Sequence, residues 1–181
     1  MTKVFLGGSR HISRLNPQVR ERLDKMIAKE LAILIGDANG ADKAMQAYLA
    51  SRGYRHVEVF CSGKVCRNNV GNWKVRQVAV DKSIRGADFY SVKDQVMAAG
   101  SDIGFMLWDG SSIGTIANVF RLATNGKKAV LYDRVQGRFH EIRDTQGWDD
   151  FIDSLDPTLR RKLAERVQPP EREAVEPRLF G

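Results

Sequence analysis

The chain predicts an α/β fold: a doubly wound, mainly parallel sheet with about five core strands and helices on both faces. Three observations carry that prediction. Short apolar runs alternate with amphipathic helical patterns along most of the sequence. Glycine-rich turns repeatedly join an apolar run to the helical pattern after it, as at Gly7-Gly8-Ser9-Arg10, Gly36 to Asp42 and Asp109 to Thr115. At 181 residues and 43% hydrophobic content, the chain can build one substantial core but not two ordinary domains.

Taken in order, Lys3 to Leu6 is a first buried strand, and Asn16-Pro17 opens a helix with Val19, Leu23, Met26 and Ile27 on one face. Pro suits a first helical position because its missing N–H would be unpaired there anyway. Leu31 to Ile35 is a second strand. A helix from about Ala41 to Arg52 ends at Gly53, before a third strand over His56 to Phe60. Residues 61–87 break the rhythm: Lys64, Arg67, Lys74, Arg76, Lys82 and Arg85 stand against the single acid Asp81. So long a stretch without periodicity reads as a loop. Tyr90 to Ala99 is then a helix, Ile103 to Trp108 a strand, Thr115 to Asn125 a helix and Ala129 to Tyr132 a strand. Parallel neighbours need crossovers, and this alternation supplies them. Beyond Asp133 the pattern weakens to a short strand around Arg138 to Ile142 and a helix starting near Asp149. The expected organisation is one domain over 1–155, then a C-terminal helix and flexible tail over 156–181.

The formal net charge of +7 fits a phosphate-bearing partner but does not choose between nucleotide and nucleic acid. No apolar run approaches the roughly 20 residues that span a bilayer, and the start resembles a strand rather than a signal peptide. No membrane partner and a cytoplasmic location are the expectation. Cys61 and Cys66 are expected as reduced thiols. His11, His56 and His140 have no ligand spacing around them, so no metal is expected.

A glycine-rich turn at the carboxyl end of a parallel strand lets backbone N–H groups and a helix's positive end approach an anion. In the first turn Gly8 permits close approach, Ser9 offers a hydroxyl and Arg10 a bidentate cation. The bland alternative is a tight turn with an exposed arginine. In the second, Asp42 either meets a ribose hydroxyl or base, with Gly40 at the helix start, or merely compensates the helix dipole. In the third, Gly110, Ser111, Gly114 and Thr115 enter a helix whose first N–H groups are unpaired, Asp109 closes the strand, and Asn118 lies one turn in. This third turn is the strongest phosphate candidate. Trp73 either stacks on a base or packs on the domain, Arg67 can neutralise phosphate, and Trp108 is either core or a stacking surface. Neither a Walker loop nor G-x-G-x-x-G is present, and no resident cofactor is expected.

In order, GGSR, GDANGAD, CRNNVGNW, FYSVKDQVMA and SDIGFMLWDGSSIGT with Asn118 resemble the YspA-related branch of the SLOG superfamily. That Rossmann-like group includes the DNA-processing protein DprA and the LOG phosphoribohydrolases. The resemblance covers Lys3 to Tyr132. It implies a nucleotide-like small molecule, ADP-ribose-like in character, bound at the carboxyl edge by Gly8, Ser9, Arg10, Gly40, Asp42, Gly110, Ser111, Gly114 and Thr115, with Lys93-Asp94 contributing. The chain would act as a sensor or sequestering module. The alternatives are N-glycosidic hydrolysis of nucleoside monophosphates, as in the LOG enzymes, and DprA-like binding of single-stranded nucleic acid. The LOG enzymes resemble Pro-Gly-Gly-x-Gly-Thr-x-x-Glu in this turn, whereas Asn118 stands at the glutamate position here. An amide cannot serve as nucleophile or general base. A homo-oligomer stays open, because exposed helices of such sheets often pair subunits.

Overall fold

A computed structural model describes residues 1–167. The element order is β1 (Lys3–Gly8), α1 (Pro17–Ala28), β2 (Ala32–Gly36), α2 (Ala41–Ser51), β3 (Val57–Ser62), β4 (Lys74–Val78) and α3 (Gly86–Gly100). Then follow β5 (Ile103–Trp108), α4 (Ile113–Thr124), β6 (Lys128–Asp133), β7 (Arg138–Ile142), α5 (Thr145–Asp153) and α6 (Pro157–Arg166). The strands form one sheet in the order β4-β3-β2-β1-β5-β6-β7. All neighbours are parallel except β6 and β7. The doubly wound, mainly parallel α/β architecture is therefore the one the sequence predicts.

The inner strands are near-continuous apolar runs because both their faces are covered. Successive side chains alternate between two cores. Val4, Leu6, Ile33 and Ile35 pack under α1 and α2 with Val19, Leu23, Met45 and Leu49. Phe5, Leu34, Phe60 and Met106 face the other way, against Met97 of α3 and Ile116, Val119 and Leu122 of α4. Asn16 caps α1 through its side-chain oxygen, which accepts from the Val19 N–H at 2.9 Å, with Pro17 at the first position as expected. Leu163 of α6 is buried in the α3–α4 core.

Several expectations need correcting. The stretch 61–87 is not all loop: β4 lies within it and pairs with β3. Its Lys74, Val75, Arg76 and Gln77 are exposed on a sheet edge, so no alternating apolar signature marks it. The short strand expected around Arg138 to Ile142 is present and lies antiparallel to β6. Helix α3 begins at Gly86 rather than Tyr90, and α5 at Thr145 rather than near Asp149, capped by Asp144 accepting from the Gly147 N–H at 2.8 Å. Cys61 and Cys66 are not separate thiols but a disulfide. The chain reverses at Gly63 (φ +78°), which brings their Cα atoms to 5.2 Å, within disulfide range. The expected tail over 168–181 lies outside the described residues. No described helix is long and apolar enough to cross a membrane.

Candidate functional site at the carboxyl edge

The sheet reverses its winding between β1 and β5, and in open α/β sheets the crevice beyond such a switch point is where ligands bind. A cavity of about 280 Å³ opens there. Gly8, Ser9 and Arg10 form one side, α3 contributes Tyr90, Lys93 and Asp94, and α4 contributes Gly114, Thr115, Asn118 and Arg121. Asp42, Arg67 and Arg166 complete its charged lining.

Ser9 gathers the three glycine-rich turns. Its N–H donates to the Leu107 carbonyl at 2.9 Å, and its carbonyl accepts from the Ala41 N–H at 3.0 Å. Its hydroxyl donates to Asp109 Oδ2 at 2.6 Å. The Asp109 carboxylate also accepts from the Ser111 and Ser112 N–H groups and the Ser112 hydroxyl. Burial would raise its pKa, yet the hydrogen bonds from Ser9, His11 and the loop N–H groups hold it well below the usual carboxylate range. Asp109 therefore organises the turn and does not line the cavity.

These bonds change how the turns work. At α2 the Ala41 N–H is taken by Ser9, and Asp42 occupies the first turn and accepts from the Ala38 N–H at 3.2 Å. That helix end gives its Ala41 and Lys43 N–H groups to the Ser9 and Ala38 carbonyls. At α4 the hydroxyl of the N-cap, Ser112, points to Ser9 and Asp109 instead of capping its own helix. The N–H groups of Ile113, Gly114 and Thr115 have no partner among the described residues, and no acid sits in that first turn. Thr115 is only 4% exposed, and its hydroxyl makes no hydrogen bond among the described residues. The α4 terminus is thus an uncapped, positive helix end facing a cavity.

A belt of charge runs below it. Lys93, 3% exposed, donates to Asp94 Oδ1 at 2.6 Å. Asn118 Nδ2 donates to Asp94 Oδ2 at 3.2 Å, and Arg121 Nη1 donates to Asn118 Oδ1 at 2.5 Å. Burial pushes the Asp42 carboxyl up to about 7, aided by the Asp94 charge and opposed by Lys93. Burial disfavours the Lys93 ammonium, but Asp94 and Asp42 outweigh it and raise its pKa. Gly36 makes room for this arrangement: a Cβ there would collide with the Asp42 carboxylate and lie 2.8 Å from Lys93 Nζ.

On the opposite wall Arg67 grips Asp37, with Nη2 to Oδ1 at 2.7 Å and Nε to Oδ2 at 3.1 Å. Burial opposes ionisation of Asp37, but these bonds and the Arg67 charge lower its pKa. The guanidinium lies over the Tyr90 ring at 4.2 Å, a cation–π contact. The disulfide holds the residue immediately before Arg67. Among the described residues, Asp37, Cys61 and Cys66 come nearest to a metal-ligand grouping. The sulfurs are bonded to each other and the carboxylate is held by Arg67, so the set does not fit an ion.

Of the residues the sequence singles out, Gly8, Ser9, Arg10, Asp42, Arg67, Lys93, Gly114, Thr115 and Asn118 come together around the cavity. Gly40, Trp73, Asp109, Gly110 and Ser111 lie off it. Gly40 (φ +84°) packs against the Arg10 backbone. Trp73 packs on the α1–α2 core and donates from Nε1 to the Tyr54 carbonyl at 2.8 Å. Gly110 (φ +84°) sits under Val135, while the exposed Ser111 gives its N–H to Asp109. Trp108 is core, 3% exposed, with Nε1 donating to the Ser112 carbonyl at 3.2 Å. Sequence reasoning did not single out Tyr90, Arg121 or Arg166. Thr115, Asn118 and Arg121 stand three residues apart, as do Tyr90 and Lys93, so the spacing that places neighbours on one helix face was available as a signal.

No family model and no curated protein matches the chain. Among solved structures, the chain is similar to DNA processing protein A from Helicobacter pylori, described for its unique single-stranded DNA binding mode. The TM-score is 0.57 at 12% identity, over 91% of this chain and 80% of that one. At that identity the likeness is one of fold.

Proposed function

We propose that the cavity binds a nucleotide or nucleotide-derived small molecule, with a phosphate seated on the α4 terminus, and that the chain senses or sequesters this ligand. The observation that carries the reading is the uncapped α4 end, where Thr115 lines the cavity beside Gly114 with a hydroxyl that makes no hydrogen bond among the described residues. A phosphate satisfies the hydroxyl and the free N–H groups at once. Arg10, exposed at the rim, supplies a further cation. The motif order that resembles the YspA-related SLOG branch supports the same ligand class. Calorimetry with AMP, ADP-ribose, NAD and cyclic nucleotides tests the reading. At least one ligand is expected to bind, and Thr115→Val to weaken it by roughly 10-fold or more, since hydrogen bonds to charged groups are worth about 1.5–3 kcal/mol. No binding across the panel by folded protein refutes it.

A second reading is single-stranded nucleic acid binding. The structural neighbour is described for that activity, and the net charge of +7 and the exposed Lys74 and Arg76 on the β4 edge favour it. Fluorescence anisotropy with labelled single-stranded DNA at low salt decides it, because electrostatic binding is strongest there. Salt-sensitive binding supports this reading, and a flat isotherm removes it.

A further inference from the structure

Resting on the nucleotide reading, we infer that the cavity holds a second anion subsite at Arg121 and Arg166, and that its ligand carries phosphates on both sides of a ribose. Arg121 is half-buried, and among the described residues the one hydrogen bond of its guanidinium goes to Asn118. A guanidinium has five N–H donors in a planar fork suited to phosphate, so most of its donors are unspent. Arg166 reaches the same cavity from α6, tied to the carboxylate of Asp88 on α3. Burial pushes the Arg121 pKa down, and the Arg166 charge adds to this against the pull of Asp94. Asp88 pairs with Arg166, while Arg121 makes no ion pair among the described residues and keeps most of its donors free for a bound anion.

The lining between the two anion positions identifies what lies between the phosphates. Arg121 follows Thr115 by six residues on α4, roughly 9 Å along the axis at 1.5 Å per residue. Its contact with Asn118 places the guanidinium about one turn below the phosphate on the helix end. Asp94, with Lys93 and Asn118 on its two oxygens, lines the cavity with Asp42. Carboxylates repel phosphate oxygens but accept hydrogen bonds from sugar hydroxyls. A continuous phosphate chain therefore suits the site less well than a ribose with a phosphate at each end, a nucleoside 3′,5′-bisphosphate. Internal residues of an RNA strand, each with a free 2′ hydroxyl between flanking phosphates, present the same chemistry.

Calorimetry with adenosine 3′,5′-bisphosphate, ADP and AMP tests this, because the first two carry equal numbers of phosphates in different places. The bisphosphate is expected to bind at least 10-fold more tightly than either. Arg121→Gln is expected to weaken the bisphosphate at least 10-fold more than it weakens AMP, with Arg166→Gln as a second variant and thermal melting to verify folding. A short single-stranded oligoribonucleotide forms the other arm: Arg121-dependent binding tighter than the free bisphosphate assigns the phosphates to an RNA strand. ADP binding as tightly as the bisphosphate, or Arg121→Gln weakening AMP equally, overturns the second subsite and leaves the first reading standing. Failure of all three nucleotides to bind overturns both.

Discussion

The Ser9 hydroxyl donates to Asp109 Oδ2 at 2.6 Å across the switch point, joining the end of β1 to the end of β5. Through Ser112 the same carboxylate draws away the hydroxyl that would otherwise cap α4. One acid thereby keeps a neighbouring helix end open to the cavity.

Asp109→Asn is expected to destabilise the protein by about 1–3 kcal/mol, the cost of disrupting a partly buried hydrogen-bond network, and to weaken nucleotide binding without touching the ligand. Because the folded pKa of Asp109 is depressed, its contribution is present above the ordinary carboxyl value and lost as pH falls below it. Thermal melts of wild type and variant are therefore expected to converge toward acid pH. Parallel curves would mean that the carboxylate charge is not what holds the turn.

Asp42 acts in the opposite sense. Its folded pKa of about 7 lies above the ordinary 3.8, so as pH rises between those values the unfolded chain releases a proton that the folded protein retains. Stability from this residue falls across that window. Compared with Asp42→Asn, the wild type is expected to lose more melting temperature between pH 4 and 7, and carbon NMR of the carboxyl to show a midpoint near 7. A midpoint near the ordinary value would refute the prediction.

Gly36→Ala and Gly114→Ala separate packing from binding. The first drives a methyl into Asp42 and Lys93 and is expected to cost about 1–3 kcal/mol, the usual range for overpacking. At Gly114 an added Cβ meets nothing within 4 Å, and Ala is the better helix former. That variant is expected to fold with unchanged or higher stability yet bind nucleotide more weakly, because its methyl enters the cavity. Denaturant titration and calorimetry measure the two effects.

Reducing the Cys61–Cys66 disulfide, or replacing Cys66 with Ser, is expected to cost about 2 kcal/mol by the loop-entropy relation for so short a loop. Because Cys66 precedes Arg67, the same change is expected to loosen the Arg67–Asp37 pair and lower affinity. Melting with and without a dithiol reductant checks the first expectation, and ligand titration under both conditions the second.

Much of this was legible in the residues. Val4-Phe5-Leu6, Ile33-Leu34-Ile35 and Phe105-Met106-Leu107 read as strands because both faces are buried, and burial on both sides leaves an unmistakable apolar run. β4 carried no such mark: an edge strand exposing Lys74 and Arg76 draws its order from the hydrogen bonds of β3, which local sequence does not encode. Thr115 and Gly114 were recognisable from the turn. Asp109 and Trp73 had the right chemistry, but what each side chain touches depends on residues far away, Ser9 in one case and Tyr54 in the other.

Hydrophobic periodicity and glycine placement sufficed to establish the layered sheet and the edge at which its turns gather, since both follow from forces acting over a few residues. Folding alone chose which turn keeps its N–H groups free, which acid faces inward, and that Arg121 and Arg166 share one cavity. Those outcomes depend on contacts between α3, α4, α6 and the ends of β1 and β5, where a hydrogen bond made to one partner is withheld from another.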